Sequence, residues 1–205
     1  MREGEKSLSE GEHHTGRLIV VYGVNNLGKS TQLNRLVDSL AEAGQTVERR
    51  KYPRYESPSG QIVNGILRGG QEATPTQLQQ WASLNIWQDQ RWIDGQIESG
   101  QTVVLEGYWG ETLAWGMGGG VPREEINAMI LGLRSPELAI VLLGERFTEA
   151  REDGHRHEED DDLTARVQEH HRQLAEEFGW HTVFANGSVD EVHEKILSIV
   201  NGESA

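Results

Sequence analysis

The segment Gly23-Val-Asn-Asn-Leu-Gly28-Lys29-Ser30-Thr31 fits G-x-x-x-x-G-K-[ST] at every fixed position. Glycines at this spacing let successive backbone N–H groups curl around phosphate oxygens, and a helix starting at the end of the loop adds its positive dipole end. In such a loop Lys29 reaches the β and γ phosphates, and Ser30 offers a hydroxyl to Mg²⁺. The residues expected to hold ATP are therefore Gly23, Asn25, Asn26, Gly28, Lys29, Ser30 and Thr31. A carboxylate for the metal normally ends a neighbouring strand. The apolar run Leu138–Leu143 ends in Gly144 and supplies none, whereas Thr102-Val-Val-Leu105 ends in Glu106. That position is the carboxyl edge of the sheet, where open α/β folds bind ligands. Glu106 is expected to orient Mg²⁺ beside Ser30, or to accept a proton from a hydroxyl acceptor.

These residues need a scaffold of alternating strands and helices, and the chain supplies one. Leu18-Ile-Val-Val-Tyr22 is short, apolar and β-branched, and so predicts a buried strand before the loop. Thr31 to Ala43 places Leu33, Leu36, Val37 and Leu40 on one helical face, closed by Gly44. Further strands are expected at Thr46–Tyr52, Thr102–Glu106, Leu138–Leu143 and His181–Ala185. Helices are expected at Gly60–Leu67, from Thr74-Pro75 in one piece to about Glu98, at Pro122–Leu133 after a glycine-rich stretch (Gly116–Gly120), over roughly 145–178, and at Val189–Val200. Such alternation means an α/β fold: a five-stranded parallel sheet covered by helices on both faces. Residues 1–16 are polar and without period and read as a disordered leader; 17–205 reads as a single domain.

Composition narrows the function. The chain has 205 residues, no cysteine and a formal net charge of −14. There is thus no disulfide framework and no thiolate chemistry. The charge speaks against a nucleic-acid binder, because phosphate backbones reward clustered Lys and Arg, but not against a small phosphorylated ligand in a local pocket. No apolar run is long enough to cross a membrane, so a cytoplasmic protein is expected. Only four of the 19 basic residues are lysines: Lys6, Lys29, Lys51 and Lys195. His155, His157, His170 and His171 fall in a polar stretch and are not read as a metal site.

In this order and spacing the motifs resemble the thymidylate kinase family of nucleoside monophosphate kinases, from about Leu18 to Val200. Besides the loop, Lys51-Tyr-Pro-Arg54-Tyr55-Glu-Ser-Pro-Ser-Gly60 is similar to the segment whose arginine holds the acceptor phosphate. Trp81-Ala-Ser-Leu-Asn85-Ile86-Trp87 lies where the family shows an aromatic residue and then Asn-Arg or Asp-Arg. Glu106-Gly107-Tyr108, with Leu113-Ala114-Trp115, lies where it shows Asp-Arg-Tyr and a following Ser-x-x-Ala-Tyr. The resemblance implies a P-loop NTPase fold with a small helical lid at about 145–162. It also implies ATP and Mg²⁺ as cofactors, a small-molecule nucleotide acceptor and a homodimer. It assigns acceptor contacts to Arg54, Tyr55, Trp81, Asn85, Tyr108 and Trp115.

The departures cluster in the acceptor half. Asn25 stands for an aspartate, Asn26 for an arginine of some members, Ile86 and Gly107 for arginines, and Ala82 for a stacking phenylalanine. Each lost arginine removes a bidentate phosphate or base partner, and no lysine is expected in its place. Phosphoryl transfer still wants a cation at the transferred group, expected from Arg151 or Arg156, with Arg146 behind them. Arg54 is the expected phosphate anchor, with Arg50 in reserve. Trp81, Trp87 and Trp92 read as core; Trp109 and Trp115 read as walls of a pocket with more indole surface. The expected function is ATP-dependent conversion of a (deoxy)nucleoside monophosphate, dTMP or a related pyrimidine nucleotide, to the diphosphate. Two alternatives stay open: a kinase of deoxynucleosides or modified nucleotides, and a nucleotide-binding protein without catalysis.

Overall fold

In the computed structural model residues 16–147 and 160–202 are described. The expected leader therefore lies outside the described residues, as do Arg151, Arg156, His155 and His157. Five strands form one parallel sheet: β1 (Leu18–Tyr22), β2 (Val47–Lys51), β3 (Thr102–Glu106), β4 (Leu138–Leu143) and β5 (His181–Phe184), in the order β2-β3-β1-β4-β5. The continuous apolar runs take the centre, where β1 and β3 are buried at every position, while the polar β2 and β5 take the edges. Because β1 sits between β3 and β4, the loop after Tyr22 opens beside Glu106, where the strands end.

Helices follow each strand: α1 (Lys29–Glu42), α2 (Pro58–Leu67), α3 (Pro75–Trp87), α4 (Gln90–Glu98), α5 (Trp109–Gly118), α6 (Arg123–Ile130), α7 (Asp161–Phe178) and α8 (Val189–Val200). Helix α1 buries Leu33, Leu36 and Leu40, the stripe expected of it. Thr74 caps α3 as a capping box with Gln77, ahead of Pro75. No helix among the described residues is long and apolar enough to cross a membrane.

Three expectations change. The single helix from Thr74 to Glu98 is two, broken at Gln88–Asp89. Asp is a weak helix former, and at the break the Asp89 carboxylate accepts from the Tyr52 hydroxyl (2.9 Å) and from Arg54 Nη1 (2.6 and 2.8 Å) and pairs with Arg50 (2.8 Å). The glycine-rich stretch Gly116–Gly120 belongs partly to a helix, α5, whose Gly116 and Gly118 pack against neighbouring side chains: a Cβ at Gly118 would meet Val167 Cγ2 at 2.6 Å. The tryptophans also sort differently. Trp87 is 38% exposed, with its indole N–H donated to the Met129 carbonyl. Trp109, expected as a pocket wall, is core, packed on Tyr22, Phe178 and Trp180 at centroid distances of 5.4–6.4 Å.

Candidate active site

The loop Gly23–Gly28 joins β1 to α1. Gly28, at φ +78°, occupies the position just before α1, and the helix opens with Lys29 and Ser30. A left-handed residue there turns the chain so that the first N–H groups of α1 face the cavity, a conformation that glycine adopts without a Cβ clash. Lys29 folds over its own loop, its Nζ donating to the carbonyls of Gly23 (2.6 Å) and Val24 (2.8 Å). The Ser30 hydroxyl donates to Glu106 Oε1 at 2.8 Å. The strand-end acid and the loop hydroxyl thus meet across the β1–β3 pair.

Glu106 is 3% exposed and surrounded by cations. The parallel register places Lys51 opposite Glu106, and side chains two apart on a strand share a face. Arg49 and Lys51 therefore both reach this carboxylate, Arg49 Nη2 at 3.1 Å and Lys51 Nζ at 2.9 Å. Arg50, between them, points the other way, stacks on Trp92 with its guanidinium carbon 3.3 Å from the ring centroid, and pairs with Asp89. Burial alone would raise the Glu106 pKa, but Lys51, Lys29 and the Ser30 hydroxyl hold it below the usual carboxylate value. The acid is ionised at neutral pH.

A cavity of about 710 Å³ opens at this loop. It is lined by Asn25, Asn26, Gly28, Lys29, Ser30 and Thr31, by Tyr55, Tyr108, Thr112 and Trp115, and by Leu78, Gln79, Ala82 and Ile86 of α3. At 100° per residue, Gln79, Ala82 and Ile86 fall within about 60° of one another, with Asn85 about 60° and Trp81 about 100° from the nearest of them, Ala82. Trp81 accordingly packs on the satellite cluster of Val63, Ile66, Leu67 and Leu78. Asn85 is fully buried, accepting from the Arg54 backbone N–H (2.7 Å) and donating to the hydroxyls of Ser57 and Ser59. Neither lines the cavity.

Arg54, the expected phosphate anchor, does not line the cavity. Its guanidinium is bound to Asp89 and, through Nε, to Glu56 (2.8 Å), hydrogen bonds that raise its pKa. The reserve, Arg50, is held by the same aspartate. Arg146 donates to the Thr164 hydroxyl (3.2 Å) and pairs with Asp161 in the first turn of α7.

Three residues that the sequence reading passed over face the cavity instead. Lys51 lines it directly, so a lysine does stand in the acceptor half after all. Glu111, in the first turn of α5, accepts from the Gly23 backbone N–H (3.1 Å) and from the Trp115 indole N–H (2.9 Å), and lies 3.3 Å from His171 Nε2 on α7. Burial pushes its carboxyl up, yet His171, Lys29 and the Gly23 N–H pull it below the usual value. Gln79 is the third. For Lys51 the signal was its alternation with Arg50 on a strand; for Glu111 and Gln79 no local motif exists.

The geometry is that of a nucleotide-dependent phosphotransferase, and known proteins agree with it. The family model described as thymidylate kinase matches residues 21–196. Thymidylate kinase of Schizosaccharomyces pombe is 27% identical over 197 residues, covering 93% of this chain and 94% of its own. The human thymidylate kinase is 27% identical with 88% of each covered, and that of a Synechococcus strain 30% identical with 93% and 97% covered. The solved structure of thymidylate kinase from Candida albicans superimposes with a TM-score of 0.77 over 92% of both chains at 19% identity, a match of fold. The chain thus belongs to the thymidylate kinase family and is a nucleoside monophosphate kinase.

Proposed function

We propose that the protein transfers the γ-phosphoryl group of ATP to a pyrimidine deoxynucleoside monophosphate, dTMP or a close relative, giving the diphosphate and ADP. The observation that carries this reading is the 2.8 Å contact of Ser30 with Glu106 at the mouth of a cavity continuous with the acceptor wall. An oxygen of the acceptor phosphate attacks the γ phosphorus while the bond to the β–γ bridging oxygen breaks. Such a transfer asks the protein for alignment and charge neutralisation rather than covalent chemistry. Lys29 sits to neutralise the β–γ bridge and Lys51 the incoming phosphate. Glu106 and Ser30, an ionised carboxylate touching a hydroxyl, form a donor set suited to Mg²⁺, an ion that takes few protein oxygens and bridges phosphates. When bound, that ion supplies charge neutralisation at the triphosphate. The cation wanted at the transferred group is assigned on sequence grounds to Arg151 or Arg156, which lie outside the described residues.

A second reading rests on one observation: Lys29 and Lys51 are the only cations among the described residues that line the cavity. A neutral deoxynucleoside needs fewer cations than a monophosphate, and Glu106 would then take a proton from its hydroxyl. Incubation with γ-labelled ATP and a panel of nucleosides and monophosphates separates the two. Label in dTDP or another pyrimidine diphosphate supports the first reading, label in a monophosphate the second, and ATP binding without transfer to any acceptor contradicts both.

A further inference from the structure

Helix α3 presents three consecutive turns to the acceptor end of the cavity, as Gln79, Ala82 and Ile86. Two of these cannot hydrogen-bond a base. The third is a carboxamide on a residue only 4% exposed, and it has no hydrogen-bond partner among the described residues although it lines the cavity. The amide opens onto the cavity, where a partner can arrive with the ligand. Its stem is also restrained. Helix α5 passes so close that a Cβ at Gly116 would stand 3.2 Å from Gln79 Cγ, and Leu78 and Ile86 beside it are nearly fully buried. The amide is therefore held on an apolar wall, with a donor and an acceptor side by side.

We propose that Gln79 is the residue that holds the acceptor base, its amide pairing with the adjacent N–H and carbonyl of a 4-keto pyrimidine. This rests on the reading of the cavity end as the acceptor site. An N–H and a carbonyl next to each other, as in thymine or uracil, are the complement of one carboxamide. With Ile86 offering no donor, nothing else on this face of α3 satisfies the 4-carbonyl.

The test compares wild type with Gln79→Leu and Gln79→Glu, measuring kcat and KM for dTMP, dUMP and dCMP, KM for ATP, and monophosphate affinity by tryptophan fluorescence. Leucine is expected to raise the dTMP KM and dissociation constant at least about tenfold, leaving the ATP KM and the thermal midpoint in place. Glutamate cannot donate to a 4-carbonyl but accepts from a 4-amino group, so the dCMP-to-dTMP ratio of kcat/KM should rise at least about tenfold. Unchanged dTMP affinity in both variants overturns the assignment while the kinase reading stands. A wild type that binds dTMP without turnover, and loses that binding in Gln79→Leu, supports Gln79 and contradicts the kinase reading. A wild type that binds no monophosphate overturns both.

Discussion

Ser30 Oγ and Glu106 Oε1 lie 2.8 Å apart, joining the start of α1 to the end of β3. Removing the carboxylate charge while keeping its shape separates its chemical role from its structural one. Glu106→Gln is expected to lower kcat by about 100-fold or more with folding retained, since it removes a carboxylate that would hold Mg²⁺ at the phosphates. Steady-state kinetics over a range of Mg²⁺ concentrations checks this. A variant with wild-type kcat at every Mg²⁺ level would remove Glu106 from the chemistry.

Lys51 reaches the same carboxylate from β2 at 2.9 Å, with its side chain 57% exposed to the cavity mouth. Lys51→Ala should raise the acceptor KM about tenfold or more and disturb the ATP KM less, as expected of a cation that holds the incoming phosphate. Lys51→Arg should restore most of the loss. Equal effects on both substrates would place the lysine at the donor instead.

Arg54 makes the opposite prediction to the one its motif suggests. Because it is bound to Asp89 and Glu56 and does not line the cavity, Arg54→Ala should cost about 1–3 kcal/mol of stability through the buried Asp89. The acceptor KM should stay within about threefold of wild type, a shift of well under 1 kcal/mol. Chemical denaturation and kinetics on the same sample decide it.

How far the site was legible in the sequence follows from these pairs. The loop after β1 was legible because its motif is contiguous: one run of nine residues, Gly23–Thr31, holds the glycines, the lysine and the serine. The sheet was legible from its apolar runs, and its order put Glu106 beside the loop. The acceptor half was not, because it depends on which face of an element looks inward. On β2 the alternation sends Arg49 and Lys51 to Glu106 and Arg50 to Asp89, and only the β2–β3 register reveals that Lys51 stands opposite Glu106. On α3 the motif residues Trp81 and Asn85 do not line the cavity, whereas Gln79, Ala82 and Ile86 do. Asp89 was invisible as an organiser until Tyr52, Arg50 and Arg54 converged on it.

The pair of half-buried Glu111 and buried His171 gives the fold an acid limb. Glu111 ionises more readily in the folded chain than at its ordinary value of 4.5, so ionised Glu111 favours the folded state. That contribution is complete above the unfolded value and is lost as pH falls through the lower folded one. Thermal midpoints of wild type and Glu111→Gln should therefore differ most at neutral pH and converge below about pH 4. A constant gap across that range would mean that the carboxylate charge contributes nothing.

The central claim is transfer of phosphate from a triphosphate held by the Lys29 loop to a monophosphate held beyond Glu106. Its most direct measurement is a single-turnover reaction of γ-labelled ATP, Mg²⁺ and dTMP with wild type and Lys29→Met. The account predicts labelled dTDP from wild type and a rate lowered by about 1,000-fold or more in the variant. Label that stays in ATP or passes only to water with the wild-type protein, or an unchanged rate in Lys29→Met, would contradict it.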